Sequence, residues 1–344
     1  MLWRISTDLL PMSPRLLLAA AMLLFPAVHA QEPGEGPRPE QLAAHLSHTG
    51  RVASALAREG GPRELALAAL LREVGMRQGG DDDATRARDP QAQAWSHAAA
   101  SGAGDDVAAH RLLVAAAPAD DPVRREAARR WQAVEPDNLV PLLHAGLTVD
   151  ALLAQARATS RADSGMYADV RWIAAAMRRH PPTAAEQAAM TAGQPFHGDE
   201  SAAVFAMALW SARALPGYAP LVEACSERML RALPARREDC RHVAILLADH
   251  STSLADEHAG LAMLRALAAT PGEREQLQAR QRRMDWRMLQ WGRLVREQPR
   301  DGAGQFARLL ADASLTSEQQ LVDRVLAEGG VAADPPPGWQ PPRR

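Results

Sequence analysis

The sequence predicts an all-α fold of antiparallel helical hairpins stacked in an irregular array. Three observations carry that reading. Ala, Leu, Arg, Glu and Gln dominate the chain, and all are good helix formers. No segment alternates β-branched and polar residues as a half-buried strand does. Proline, glycine and Ser/Thr/Asp caps punctuate the chain at short intervals, and short connections favour antiparallel neighbours.

Met1–Arg15 is net positive through Arg4 and Arg15, and a twelve-residue apolar run, Leu16–Ala27, follows. Val28-His29-Ala30 then offers small residues at both positions read by a signal peptidase. Residues 1–30 are therefore expected to be a signal peptide cleaved after Ala30, which places the mature chain in the periplasm or outside the cell. The apolar run falls short of the roughly 20 residues that span a bilayer, and no later segment reaches that length. No Cys follows the run for a lipid anchor. Residues 31–38 (QEPGEGPR) read as a flexible leader, and 39–328 as helical throughout.

Within that region Pro62–Leu71 starts with proline in the first turn and turns Leu65, Leu67, Leu70 and Leu71 inward. The loop 79–89, with Asp81-Asp82-Asp83 and Asp89-Pro90, is the best internal break. Its acidic run lacks the alternating ligand spacing of a calcium loop and reads as solvated. Helices are expected over Asp121–Glu135, Asp163–His180, Asp199–Leu215, Ala219–Leu233 and Arg236–His250. Ser253 caps a helix reaching Ala269, and Thr270-Pro271 opens a long one to Gln298. Thr316 with Gln319 forms a capping-box pattern for the last helix, which stops at Gly329. Residues 329–344 are too rich in Pro and Gly to be helical and read as a disordered tail. Trp339 within it is either a docking anchor or a solvated aromatic.

Removing residues 1–30 takes two Arg and one Asp from a chain of net charge −2, leaving −3. That balance argues for neither nucleic acid nor an anionic membrane as the main partner. All 39 basic residues are Arg. This suits planar, bidentate partners, but GC-rich coding explains it as well. Cys225 and Cys240 are the only cysteines, nine residues before and six after Pro234. An antiparallel hairpin would bring them to similar heights, and an isolated pair in an oxidising compartment most simply forms a disulfide. A reduced pair, or zinc with His242 and His250, are the alternatives.

Motifs for chemistry are missing. There is no Gly-x-Ser-x-Gly elbow, no His-Glu-x-x-His and no dinucleotide fingerprint. His45 and His48 lie one helical turn apart and could share a metal, but no carboxylate sits at helical spacing, so they read as ordinary polar positions. His242, His250 and His258 do not share a helix face, and Glu257-His258 would need a pocket to act as an acid–base pair. No cofactor is expected. In 271–297, Leu277, Gln281, Met284, Met288, Trp291 and Val295 form a packed seam at alternating steps of four and three. Arg280, Arg282, Arg283, Arg287, Arg293 and Arg296 surround it beside Trp286, so this face either meets an anionic envelope surface or spreads Arg stems over apolar surface.

Residues 127–138 (AARRWQAVEPDN) resemble the second-helix exit of a tetratricopeptide repeat, with a helix running into an acidic residue, Pro and Asp/Asn. Val295–Asp301 and Met177–Pro181 echo it. The resemblance implies a TPR-like α-solenoid with a concave surface for a protein or peptide. Large and small seats are swapped relative to that family, with Ala128 where an aromatic is usual and Trp131 where Ala is usual. Trp131 must then fill the core or project into a groove. The expectation is a non-enzymatic interaction scaffold, with Trp131, Arg282, Arg283 and Arg287 as its candidate surface; an envelope enzyme with a dispersed site is the alternative.

Overall fold

A computed structural model describes residues 38–78, 89–190, 199–297 and 299–342. The signal-peptide segment, the leader up to residue 37, and 79–88 of the break lie outside the described residues. Among the described residues the chain is all-helical, with no strands. The helices are α1 (Pro39–Glu59), α2 (Pro62–Gln78), α3 (Pro90–Gly102), α4 (Val107–Ala116), α5 (Pro122–Val134), α6 (Val140–His144) and α7 (Val149–Ala156). They continue as α8 (Met166–Arg179), α9 (Ala184–Met190), α10 (Asp199–Arg213), α11 (Ala219–Ala224), α12 (Glu227–Ala232) and α13 (Arg237–Asp249). The series ends with α14 (Leu254–Leu267), α15 (Pro271–Glu297), α16 (Pro299–Ala311) and α17 (Glu318–Glu328).

Local chemistry sets these boundaries. Asp89, Asp106 and Asp121 each accept a hydrogen bond from a first-turn N–H of α3, α4 and α5, satisfying donors with no partner inside the helix. Gly60 ends α1 in the left-handed region at φ +75°, where its N–H reaches Leu56 O. Thr270 Oγ1 accepts from Glu273 N and opens α15. Three boundaries differ from the sequence reading. The helix expected from Asp163 starts at Met166, after Gly165 in the left-handed region at φ +65°. The stretch 219–233 breaks at Cys225, because Ser226 caps a new helix by accepting from Met229 N. The last helix is capped by Ser317, one residue later than Thr316, which frees Gln319 to donate to Ser253 O and Glu257.

Two cores form. The first gathers α1–α5 with α8, α10, α16, α17 and the C-terminal half of α15, and much of it is alanine. The second gathers α6, α7 and α11–α14 with the N-terminal half of α15. α15 ties them together: Leu277 and Met284 enter the second core, and Trp291 and Leu294 the first. α5 does the same within a single turn, burying Ala128 in the first and Trp131 in the second. This explains the swapped seats, since one helix must fit a narrow space on one side and a wide one on the other.

Cys225 and Cys240 form a disulfide with Cα atoms 5.7 Å apart, buried in the second core. It joins the end of α11 to α13. There α13 and α14 approach so closely that a Cβ on Gly260 would stand 2.4 Å from Ala248 N and 2.7 Å from Ala244 O. Arginines complete the polar accounting at helix ends. Arg124 donates to Val114 O and Ala117 O, and Arg213 to Ala115 O and Ala116 O, so the last carbonyls of α4 all have partners. Arg171 does the same for Leu310 O, Asp312 O and Leu315 O after α16.

Residues 329–342, read as a disordered tail, instead run across α15. Trp339 meets Trp286 edge to face at 5.3 Å, Trp286 Nε1 donates to Ala332 O, and Arg283 pairs with Asp334. Proline content excludes a helix, yet extended backbone can still dock through rings and charges.

Candidate functional site

A junction of irregular segments lies between the two cores. Asn138 bridges to Arg161 and Ala162 to Ser251, each as an isolated parallel pair. Glu318 N adds a fourth segment by donating to Thr252 O. Asn138 is fully buried there with every capacity of its amide used. Its Nδ2 donates to Glu135 Oε2 and Asp163 O, and its Oδ1 accepts from Val140 N and Asp163 N. Arg161 links the same segments by pairing with Glu135, Asp137 and Asp163.

A cleft of about 660 Å³ opens in front of this junction, between α4 and α8. Its floor is Arg111, which donates Nε (2.8 Å) and a terminal nitrogen (2.7 Å) to the two oxygens of Asp169. The back of that guanidinium lies over the Trp131 ring, 5.8 Å from its centroid. Burial pushes the Asp169 carboxyl up, while Arg111 and a hydrogen bond from Trp210 pull it down. At the rim Arg63 Nε donates to Asp106 Oδ2 (2.6 Å), leaving its terminal nitrogens for an incoming acceptor. Asp105 is exposed at the mouth, and Trp172 and Leu112 give apolar walls.

Trp131 is 2% exposed. Its Nε1 donates to Glu135 Oε2 (2.8 Å), and its ring stacks on His144 at 6.5 Å. It fills the second core and supports the floor from behind instead of projecting into the groove. His144 is held neutral: burial and then Arg124 lower it to about 3, and Arg124 donates to its Nδ1.

Four arginines of α15 are paired. Arg280 meets Asp249, Arg283 meets Asp334, Arg287 meets Asp323 and Arg293 meets Glu297. Arg282 is half-buried beside them. The structure brings Arg282, Arg283 and Arg287 together on α15, with Trp131 elsewhere in the second core. Those partners turn a basic stripe into a mixed-charge face, which weakens the attraction to an anionic surface that the sequence alone suggests.

The histidines are structural in their contacts. His48 Nε2 donates to His180 O (2.9 Å), and His242 Nε2 faces Ala156 O and Thr159 O. His45 and His48 line a smaller cavity of about 140 Å³ with Met177, Met190 and Phe205. Among the described residues no group of three or more His, Cys, Asp or Glu is placed to hold a metal.

Two carboxyls behind the junction are raised. Burial lifts Asp256 to about 6 against hydrogen bonds from Tyr218 and Ser253. Burial lifts Glu318 to about 7 against its bond from Leu254 N, with Asp256 and Glu257 adding to the rise. Both hold α17 and Tyr218 to the start of α14, and neither lines the cleft. Sequence reasoning missed cleft and junction alike, because Arg63, Arg111, Asp169 and Trp172 come from three separate helices. The only local signal was the Pro-Asp-Asn exit at 136–138. No family model, no curated protein and no solved structure matches this chain.

Proposed function

We propose that this chain is an exported, non-enzymatic helical-repeat scaffold that mediates protein–protein interaction in the cell envelope. It holds a peptide or protein segment in the cleft between α4 and α8. The observation that carries the reading is the cleft itself: about 660 Å³, a guanidinium–carboxylate floor and an aromatic wall. Beyond its bond to Asp106, Arg63 can turn its terminal nitrogens to a carboxylate, exposed Asp105 can take a cation, and Trp172 can pack on an apolar side chain. A segment carrying both charges around an apolar residue fits that lining. Export rests on the charged start, apolar run and small residues of 1–30, and the disulfide accords with it. The packing of α1 on α2, α2 on α3, α4 on α5 and α13 on α14 supports TPR-like stacking of sequential helices.

The second reading is an envelope enzyme of helical fold, whose acid–base groups would come from the buried cluster of Tyr218, Ser253, Asp256 and Glu318 behind the junction. Affinity capture from envelope extract separates the two. A stoichiometric protein should co-purify with the wild type and be lost from Arg63→Glu and from Trp172→Ala, with helical content unchanged. A bound small molecule with no protein partner would favour the enzyme instead.

A further inference from the structure

The tail is built to dock. Pro336 O accepts from Trp339 N across a turn with Pro337 second and Gly338 third, the latter at φ +78°. That φ belongs to the third position of a type II turn and suits glycine, while proline pre-sets the second position. The turn folds Trp339 back so that its ring meets Trp286 edge to face at 5.3 Å. Ahead of it the backbone is anchored twice, by Trp286 Nε1 donating to Ala332 O (2.9 Å) and by Arg283 pairing with Asp334. Arg283 and Trp286 are three residues apart on α15 and therefore share a face.

This arrangement matches the way aromatic-lined surfaces read proline-rich segments. A ring with an N–H takes one backbone carbonyl, a neighbouring charge sets direction, and little ordering entropy is lost because proline backbone is already extended. The hold is shallow, since of residues 331–342 only Val331, Pro335 and Trp339 are even half-buried. The Arg283–Asp334 pair is more than half exposed on both sides, and such pairs bind weakly and weaken further in salt.

We propose that the face of α15 carrying Arg283 and Trp286 is a docking surface for extended proline-rich segments with an acidic residue five positions before a Trp. The chain's own residues 331–342 are its resident ligand, which such a partner displaces. This surface is separate from the α4–α8 cleft and does not depend on it.

The test uses the full chain and a synthetic peptide of residues 331–342. A variant with Asp334→Arg and Trp339→Ala keeps the tail but removes its two side-chain anchors, leaving only the Trp286 Nε1 bond to Ala332 O. That variant should bind the peptide saturably, at least tenfold more tightly than the wild type, whose tail competes in cis. Binding should fall at least tenfold when Trp286→Ala is added, and also with the exposed change Arg283→Ala should the first disturb folding. A peptide with Ala for its Trp should not bind. Equal binding to wild type and unseated variant, or binding insensitive to both α15 changes, overturns the proposal. Wild-type dimers that form with concentration and vanish in the unseated variant also overturn it, because the occupant is then a second copy's tail.

Discussion

The two cores are filled in different ways. Alanine is common in the first, and leucine dominates the second. The first draws together helices from both ends of the chain, so that Ala66, Ala68, Ala69, Ala128, Ala174 and Ala203 are buried at close approach, and arginines close the helix ends. The second is filled by leucines such as Leu139, Leu153, Leu230 and Leu247 around Trp131 and Tyr218, and is stapled by Cys225–Cys240, with a tight crossing at Gly260. In the first core small residues let helices from distant parts of the chain approach closely. In the second, leucine bulk, the Trp131 ring and a covalent link hold neighbouring helices together.

The largest expected effect is on the second core. Trp131→Ala leaves a void and removes the support behind Arg111, and should cost about 3–5 kcal/mol by chemical denaturation. A loss below about 1 kcal/mol would mean that this ring does not fill the core. Next comes the staple. Cys225→Ser should cost about 3 kcal/mol, the scale for a loop of this length. Hydrogen exchange should then rise in α11–α13 while α2 and α4 keep their protection. Uniform loosening would show that the two cores are not separate units.

Small-to-large changes sharpen the contrast. Ala128→Leu overpacks the first core and should cost about 1–3 kcal/mol, although it lies one turn from the site that needs a Trp. Gly260→Ala should cost a similar amount, because its Cβ would meet backbone that cannot swing aside. If Ala128→Leu is neutral, the first core has room to spare and the comparison fails.

The smallest effect is a pH dependence at the junction. Glu318 and Asp256 bind protons more tightly folded than unfolded, with folded values of about 7 and 6 against ordinary values of 4.5 and 3.8. Their contribution is most favourable at low pH and is lost as pH rises toward 7. The opposite trend comes from Glu135, whose carboxyl is lowered by hydrogen bonds from Asn138 and Trp131 and by nearby Arg161 and Arg111 despite burial, so that its contribution is lost as pH falls. Glu318→Gln isolates the first effect. Relative to this variant, the wild type should lose melting temperature steadily from pH 4.5 to 7; a constant difference would show that Glu318 does not titrate there.

Much of the fold was legible because it is written locally. The Asp121 and Thr270 caps, proline in the first turns at 62, 122 and 271, and the Cys225–Cys240 spacing are all signals within about 15 residues, and the structure uses each of them, whereas the Thr316 cap gives way to Ser317. The junction was not legible. Asn138 reaches Asp163, 25 residues away, and Thr252 reaches Asp163 across 89. Such pairs leave no periodic trace, and each residue alone reads as an ordinary polar turn. The partners of the α15 arginines were hidden for the same reason, since Asp249, Asp323 and Asp334 lie on other elements. The seat of Trp131 was half legible: the swap with Ala128 was visible, but only two cores meeting at α5 explain it.

The central claim is that a partner segment lies in the cleft between α4 and α8. A photo-crosslinking residue placed at Ala108, which lines the cleft, tests it most directly when compared with one at Ile245, an exposed position on α13. Expressed with its export segment and irradiated in intact cells, the Ala108 variant should give a discrete adduct with a single stretch of one protein, and the Ile245 variant should give none. Identical adducts from both positions, or no adduct at Ala108 while Ile245 crosslinks, would contradict the account.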